Sequence, residues 1–212
     1  MKNAKISNAV INRLPRYRRY LIELEKKGVE KISSKEFSEL IGYTASQIRQ
    51  DLNNFGGFGQ QGYGYSVSGL KSEIDAILGL DKEYRMVVMG AGNLGHAITK
   101  YTKTLTGGFK VCGIFETNEK LIGSKLEGIE IMDYEDIVSF VEKEKIDIGV
   151  ICVNGDSAQE VADRLCFAGI KGIWNFARID IEVPPHVALE RVQLSDSLHA
   201  LAYHMNDIRK KK

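Results

Sequence analysis

The sequence predicts an α/β protein of two domains, and two contrasting patterns along the chain indicate this fold. Residues 1–80 combine short helical patterns with a glycine-rich stretch, whereas residues 84–193 alternate apolar strands with helical segments. The polar segment 79–83 between them is typical of a domain boundary. We therefore expect domains at residues 1–80 and 81–193, followed by a C-terminal helix and basic tail at residues 194–212. The helix itself is predicted at residues 195–209, with an apolar face formed by Leu198, Leu201, Ala202 and Met205.

The composition is that of an ordinary globular protein. Hydrophobic residues make up 43% of the 212 residues and charged residues 27%. No apolar run approaches the roughly 20 residues that cross a bilayer, and the N-terminus does not resemble a secretory signal. We therefore expect no membrane partner. The three cysteines show no metal-ligand spacing, which favours reduced thiols in a cytoplasmic protein without a metal.

The net charge of +1 conceals a cluster of positive charge at the N-terminus. Residues 1–20 contain no acid and these basic side chains: Lys2, Lys5, Arg13, Arg16, Arg18 and Arg19. A local cluster of this kind indicates a polyanionic partner, and a solvated basic helix face is the alternative.

Two helices are predicted in the first half of this domain. Pro15 suits the first turn of a helix that ends at Gly28. Ser33 and Glu36 have the spacing of a capping box, which opens a second helix that stops at Gly42. The apolar side chains expected to face inward from this second helix are Phe37, Leu40 and Ile41.

A third helix begins after Thr44, and its buried stripe is predicted to be Ile48, Leu52 and Phe55. The glycine-rich run at 56–67 then predicts a tight hairpin, so the domain is interpreted as a winged helix-turn-helix, with a small helical interaction module as the alternative. Arginine can read guanine and glutamine can read adenine in the major groove. The residues expected to contact DNA are Arg13, Arg16, Ser46, Gln47, Arg49, Gln50, Gln60, Gln61 and Tyr63.

The second domain opens with the most informative stretch of the chain. An apolar strand at 86–89 leads directly into the motif Gly90-Ala91-Gly92-Asn93-Leu94-Gly95. A helix follows, with Ile98, Tyr101 and Leu105 at helical spacing. In such a motif the first glycine permits a tight turn, the second lets the backbone approach a pyrophosphate, and the third lets helix and strand pack closely. The next strand ends in Glu116, 21 residues after Gly95, where an acid accepts hydrogen bonds from a ribose and favours NAD(H) over NADP(H).

Further strands are predicted at 127–133, 147–153 and 172–176, with helices between them, which completes a Rossmann sheet. Ligands of such sheets bind at the carboxyl ends of the strands. Additional residues expected to line the cofactor site are therefore Val153, Asn154, Asn175, Phe176 and Ala177.

A dehydrogenase is the alternative from the enzyme class. None of the four histidines has the partners of a catalytic constellation, and too little chain follows the nucleotide domain to form a substrate domain. We therefore predict no catalytic residue and interpret the Rossmann unit as a sensor. A binding module for another nucleotide, such as coenzyme A, remains the third possibility.

Two segments together resemble the Rex family of redox-sensing repressors. They are the run SSKEFSELIGYTASQIRQDLNNFGGFGQQGYGY and the glycine motif VVMGAGNLGHA, and the resemblance extends over nearly the whole chain. It implies a homodimer that binds palindromic operators in double-stranded DNA when NADH is scarce. It also implies that NADH releases the DNA, whereas NAD⁺ competes without driving release.

The resemblance further implies a swapped C-terminal helix that lies between the two subunits and carries a switch acid. The matching acid is Asp196, and its two alternative partners match Arg19 of the DNA-binding domain and Tyr101 of the Rossmann helix, beside the cofactor. The chain departs from the family pattern at Ser197, Asn93, Gln50 and the pair Gln60 and Gln61. These departures affect the expected selectivity for NADH and the expected affinity for the operator.

Overall fold

The computed structural model describes residues 6–56, 64–105 and 108–210, apart from the side chains of residues 209 and 210. The chain divides into two compact units, Met1–Lys82 and Glu83–Lys212. The division falls within the polar segment 79–83.

The first unit is mainly helical. Its described elements are α1 (Asn8–Ile11), α2 (Leu14–Lys26), β1 (Lys31–Ile32), α3 (Ser34–Ile41), α4 (Ala45–Asn53), β2 (Tyr65–Ser66) and α5 (Val67–Ile77). Strands β1 and β2 pair in the antiparallel sense, with Ile32 opposite Tyr65. The predicted hairpin, including Gln60, Gln61 and Tyr63, lies outside the described residues apart from its two ends.

Local capping explains where the helices of this unit begin and end. The Ser33 hydroxyl accepts a hydrogen bond from the Glu36 backbone, and the Glu36 carboxylate accepts one from the Ser33 backbone, so the predicted capping box is confirmed. Helix α3 ends at Gly42, whose φ of 74° is the left-handed conformation that glycine adopts readily. The Thr44 hydroxyl accepts a hydrogen bond from the Gln47 backbone and caps α4.

The core of the first unit contains the predicted apolar faces, with one error. Phe37, Ile41 and Ile48 are fully buried, but Leu40 is 46% exposed. A short helix buries only a narrow stripe, and Phe37 and Ile41 fill it on α3. Helix α5 was not predicted, although Leu70 and Ile74 have helical spacing and are buried in the same core.

The second unit is a parallel sheet with helices. Its described elements are β3 (Tyr84–Met89), α6 (Asn93–Thr102), β4 (Phe109–Glu116), β5 (Lys125–Leu126), β6 (Ile129–Asp133), α7 (Ile137–Glu144), β7 (Ile148–Ile151), α8 (Gly155–Phe167), β8 (Gly172–Asn175), β9 (Ala188–Arg191) and α9 (Leu194–Lys210). The strand order is β5-β6-β4-β3-β7-β8-β9, and β5 alone is antiparallel to its described neighbour. Without β5 this is the doubly wound Rossmann order, which confirms the predicted fold class.

Three features of this unit differ from the predictions. Helix α6 ends at Thr102, so Leu105 lies beyond it rather than on its apolar face. Strand β5 and strand β9 were not predicted; β9 extends the sheet beside β8 with Leu189 opposite Ile173. A strand of four residues at the edge of a sheet is too short to give a clear alternating pattern in the sequence.

Helix α9 was predicted at residues 195–209 and spans Leu194–Lys210. The predicted apolar face is present, but its side chains are exposed: Leu198, Leu201 and Met205, together with Leu194, Tyr203 and Ile208. No helix among the described residues is both long and apolar enough to span a membrane.

Candidate functional site

The glycine motif joins β3 to α6 and has the geometry that each glycine was predicted to provide. Gly90 has a φ of 98°, and a Cβ there would lie 3.0 Å from the Cys152 carbonyl oxygen. A Cβ on Gly95 would lie 1.9 Å from the Gly90 carbonyl oxygen, so only glycine permits this contact between helix and turn. A Cβ on Gly92 would meet no atom of the described chain within 4 Å. The backbone at Gly92 therefore borders free space.

Glu116 lies at the end of β4 and contacts the glycine motif directly. One carboxylate oxygen accepts a hydrogen bond from the Ala91 backbone at 2.8 Å. The other accepts backbone hydrogen bonds from Thr117 at 2.8 Å and Asn118 at 3.2 Å. Burial raises the pKa of Glu116, but these hydrogen bonds outweigh it and hold the pKa below its usual value. The side chain is therefore an anion at neutral pH.

A cavity of about 300 Å³ lies beside this contact, at the carboxyl edge of the sheet. It contains five of the predicted cofactor residues: Gly90, Gly92, Glu116, Val153 and Asn154. Other residues that line it were not predicted from the sequence, notably Tyr134, Ser157, Glu160 and Val161. Three of these lie on α8, and the fourth follows strand β6. They are distant from the glycine motif in sequence and reach the cavity only in the folded sheet, where α8 and the end of β6 lie near its carboxyl edge.

The remaining predicted cofactor residues are not among those that line this cavity. Ala91 and Leu94 are half-buried and Asn93 is exposed, all within the glycine motif, whereas the Tyr101 side chain is exposed on α6. Phe176 packs on Trp174, with ring centroids 4.6 Å apart.

Asn175 and Ala177 are buried and organise the turn after β8. The Asn175 amide donates to the Ile179 carbonyl at 3.1 Å and accepts from the Ala177 backbone at 2.9 Å. Gln193, just before α9, donates to the Ala177 carbonyl at 3.1 Å. The hydrogen-bonding groups of Asn175 are thus committed within the protein, and the turn connects the carboxyl edge of the sheet to the start of α9.

The polar face of α4 is available in the first unit. Ser46, Arg49 and Gln50 are exposed, and Gln47 is half-buried. The Arg49 guanidinium donates a hydrogen bond to the Ser34 hydroxyl on α3 at 2.9 Å. This contact holds the side chain on the outer surface of the helix pair, where it can reach a partner.

Arg13, which is predicted to contact DNA, forms an ion pair within the first unit. Its guanidinium donates two hydrogen bonds of 2.7 Å to Asp51, and the Tyr17 hydroxyl donates a third at 2.6 Å to the same carboxylate. Asp51 is 2% exposed although it lies on α4. These bonds connect α2 to the inner face of α4. One feature of the sequence could have indicated that Asp51 is buried, because this acid lies between the predicted core positions Ile48 and Leu52.

The other predicted arginines are at the surface. Arg16 is exposed and lies over the Tyr43 ring at 5.1 Å from its centroid. Arg19 is exposed and lies over the Tyr20 ring at 5.8 Å. Asp196, the proposed switch acid, is exposed in the first turn of α9.

In the described part of the chain, no group of three or more His, Cys, Asp or Glu residues is placed to hold a metal ion. The three cysteines are free thiols, and burial raises the pKa of Cys152 to about 12, which keeps that thiol protonated.

Comparisons with known proteins agree with both halves of this description. Residues 5–53 match the family model "Putative DNA-binding protein N-terminus", and residues 81–179 match the model "CoA binding domain". The chain is 56% identical to the redox-sensing transcriptional repressor Rex of Thermoanaerobacter pseudethanolicus, covering 97% of this chain and 92% of that protein. It is 55% identical to Rex of Clostridium beijerinckii, covering 97% of this chain and 98% of that protein.

Solved structures give the same result. The protein RSP in complex with β-NAD⁺ and operator DNA is 56% identical, with a TM-score of 0.91 over 96% of this chain and 94% of that one. RSP in complex with β-NADH is 52% identical, with a TM-score of 0.89 over 99% of this chain and 100% of that one. Identity at this level over nearly the full length of both proteins establishes common ancestry and fold. The chain belongs to the Rex family of redox-sensing transcriptional repressors.

Proposed function

We propose that this chain is a homodimeric repressor of transcription that responds to the ratio of NADH to NAD⁺ in the cytoplasm. It binds a palindromic operator in double-stranded DNA when NADH is scarce and leaves it when NADH rises. Residues 1–80 bind DNA, residues 81–193 bind the cofactor and residues 194–212 join the subunits. One observation carries the proposal: the same chain presents a capped helix with an exposed polar face and a glycine loop in contact with an acid.

The residues of the second unit fit a dinucleotide. The open space at Gly92 and the N-terminus of α6 suit a pyrophosphate, because backbone N–H groups and the helix dipole stabilise its charge. Glu116, beside the glycine motif, would accept hydrogen bonds from a ribose and repel a 2′-phosphate. The adjacent cavity of about 300 Å³ offers room for the attached base.

The residues of the first unit fit a major groove. Helix α4 presents Ser46, Arg49 and Gln50 outward while Ile48 and Leu52 anchor it in the core. Exposed arginine and glutamine side chains near the start of a recognition helix are placed to reach base edges. Arg16 supplies positive charge for the phosphate backbone. Two such helices in a symmetric dimer match a palindrome.

The exposed apolar face of α9 supports a role in joining subunits, since apolar side chains at the end of a chain are stabilised by burial against a partner. Asp196 on this helix is the proposed switch. It pairs with Arg19 in the DNA-bound state and with Tyr101 in the released state. The bound nicotinamide ring supplies the signal, because it is cationic and planar only when oxidised. The protein has to bind the two forms unequally for its conformation to change.

A gel-shift titration tests this function. The full-length protein is bound to a palindromic operator, and NADH, NAD⁺, NADPH and coenzyme A are added in parallel. We expect NADH to release the DNA and NADPH to act only at higher concentration, because Glu116 opposes a 2′-phosphate. Coenzyme A is the control for a general effect of nucleotides. A complex that survives saturating NADH unchanged contradicts the proposal.

A further inference from the structure

The Arg16 side chain of α2 packs on the turn that connects α3 to α4. Its guanidinium carbon lies 5.1 Å from the centroid of the Tyr43 ring, which belongs to that turn. One terminal nitrogen of the guanidinium also lies beside Gly42, where a Cβ would be 3.8 Å from it. Arg16 is exposed all the same, so its guanidinium rests on the turn and still reaches solvent.

The Tyr43 ring is itself held by the core of the first unit. It is half-buried and meets the Tyr17 ring edge to face, with ring centroids 5.9 Å apart. Tyr17 is fully buried, and its hydroxyl donates a hydrogen bond to Asp51 at 2.6 Å. A chain of contacts therefore runs from the buried Asp51 to the surface, and it sets the position of the Arg16 guanidinium.

The positive charge of Arg16 is not neutralised at this position. Among the described residues Arg16 forms no ion pair with a carboxylate, and the segment 42–48, GYTASQI, contains no acid. Arg19 differs from Arg16 because the ring beneath it belongs to Tyr20, its own neighbour on α2, and not to the turn before α4. The guanidinium of Arg16 is thus both fixed beside this turn and available to an anion.

The proposed function brings this charge to the border of the major groove. The segment 42–44 immediately precedes α4, and the N-terminal part of a recognition helix is the part that reaches the bases. Groups beside that end of the helix meet the sugar–phosphate backbone that borders the groove. A phosphate contact there fixes the orientation of the helix without reading the sequence.

We propose that Tyr43 is a positioning residue for operator binding, because its ring holds the Arg16 guanidinium where it donates hydrogen bonds to a backbone phosphate. A guanidinium stacked on an aromatic face keeps the N–H groups in its plane free to donate outward. Without the ring, the long side chain of Arg16 would lose more conformational freedom when it binds the phosphate, and the affinity would fall. This inference rests on the proposed binding of operator DNA by the first unit.

A double-mutant cycle on operator affinity tests the coupling between the two side chains. Tyr43→Leu removes the ring but keeps apolar bulk against Tyr17, and we expect the full-length protein to bind its operator about two- to fivefold more weakly. Arg16→Ala should weaken binding about five- to tenfold. In the Arg16→Ala background, Tyr43→Leu should cause no further loss, because the ring then has no guanidinium to hold. Tyr43→Phe keeps the ring and is the matched control, with an affinity within about twofold of wild type.

The dependence on sequence and on salt separates a positioned phosphate contact from a loss of structure. Affinities are measured for the operator and for an operator with one base pair exchanged in each half-site, over a series of salt concentrations. Tyr43→Leu and Arg16→Ala should each weaken both complexes by the same factor, because a phosphate contact does not depend on the base sequence. Arg16→Ala should also lower the slope of log affinity against log salt concentration by about one. Thermal melting of each variant sets an assay temperature at which all of them are folded.

Two results overturn the assignment. One is a Tyr43→Leu variant that binds the operator as tightly as wild type. The other is a Tyr43→Leu substitution that costs the same factor with Arg16 present and with Arg16→Ala, since the ring would then act through the fold and not through the guanidinium. A wild-type protein that binds no palindromic operator would instead refute the proposed function itself.

Discussion

Arg13 and Asp51 form a bidentate ion pair that joins the N-cap of helix α2 to the inner face of helix α4. Both hydrogen bonds measure 2.7 Å, and the Tyr17 hydroxyl donates to the same carboxylate. Asp51 lies on the same helix as the exposed Arg49 and Gln50, so the ion pair fixes the orientation of the face that is proposed to read DNA. We infer that Arg13 acts on DNA binding through the position of α4.

Removing one member of this pair should destabilise the first unit. Asp51→Ala leaves the Arg13 guanidinium and the Tyr17 hydroxyl without their shared partner, and we expect a loss of about 3–5 kcal/mol in the free energy of unfolding. Urea denaturation measures this loss, and NADH titration should show an unchanged cofactor affinity. Tyr17→Phe is the milder control, with an expected loss of about 1 kcal/mol. If Arg13→Ala retains full stability and loses only operator binding, Arg13 is a direct DNA contact as the sequence analysis predicted.

The same ion pair predicts a dependence of stability on acid. Burial raises the pKa of Asp51, but the hydrogen bonds from Arg13 and Tyr17 outweigh it, so the pKa lies below its usual value. A depressed pKa in the folded state stabilises the protein fully above the unfolded value, and this contribution is lost as the pH falls through the folded value. The stability difference between wild type and Asp51→Asn should therefore be large at pH 7 and should shrink below about pH 4. Urea denaturation at pH 7 and below about pH 4 measures this difference in the free energy of unfolding. A difference that is the same at both pH values contradicts a lowered pKa of Asp51.

Arg49 should contribute to operator affinity and not to folding. Arg49→Ala removes an exposed side chain whose guanidinium donates a hydrogen bond to the Ser34 hydroxyl. We expect operator binding to weaken by about 1–3 kcal/mol, with unchanged NADH affinity. Ser34→Ala removes the same hydrogen bond and keeps the guanidinium, so it should bind the operator within a few-fold of wild type. Equal losses of operator affinity in the two variants would show that Arg49 acts only through its hydrogen bond to Ser34 of α3.

Two glycines of the motif should respond differently to added side chains. Gly92→Val adds atoms toward open space, so the fold should persist while the approach of a pyrophosphate is blocked. The expected product is a repressor that binds its operator and is not released by NADH. Gly95→Ala places a Cβ 1.9 Å from the Gly90 carbonyl oxygen and should lower the melting temperature. Normal release of Gly92→Val by NADH would place the pyrophosphate elsewhere.

Asp196 should couple the binding of NADH to the release of operator DNA, and it should not contribute to the core of either unit. Asp196→Ala removes an exposed carboxylate, and we expect NADH to bind with near-normal affinity but to release the operator poorly. Parallel NADH titrations with and without operator DNA measure this coupling. Ser195→Ala in the same turn of α9 is the control and should retain it. An Asp196→Ala variant that responds to NADH like wild type excludes the proposed exchange of partners.

The sequence by itself determined the features that depend on neighbouring residues. The Ser33 and Glu36 capping box, the end of α3 at Gly42 and the turn at Gly90 were predicted because each is a backbone requirement satisfied within a few residues. The position of Glu116 at the end of a strand was predicted in the same way, from the regular alternation of strands and helices.

The tertiary structure decided which distant side chains meet. Arg13 and Asp51 are 38 residues apart, and Tyr134 reaches the cavity beside the glycine motif only because β6 and α8 pack around the same edge of the sheet. The sequence pattern identified Arg13 as a basic residue but could not distinguish a phosphate contact from a buried ion pair. Side-chain periodicity reports which residues face a core, and it carries no information about which partner each one finds there.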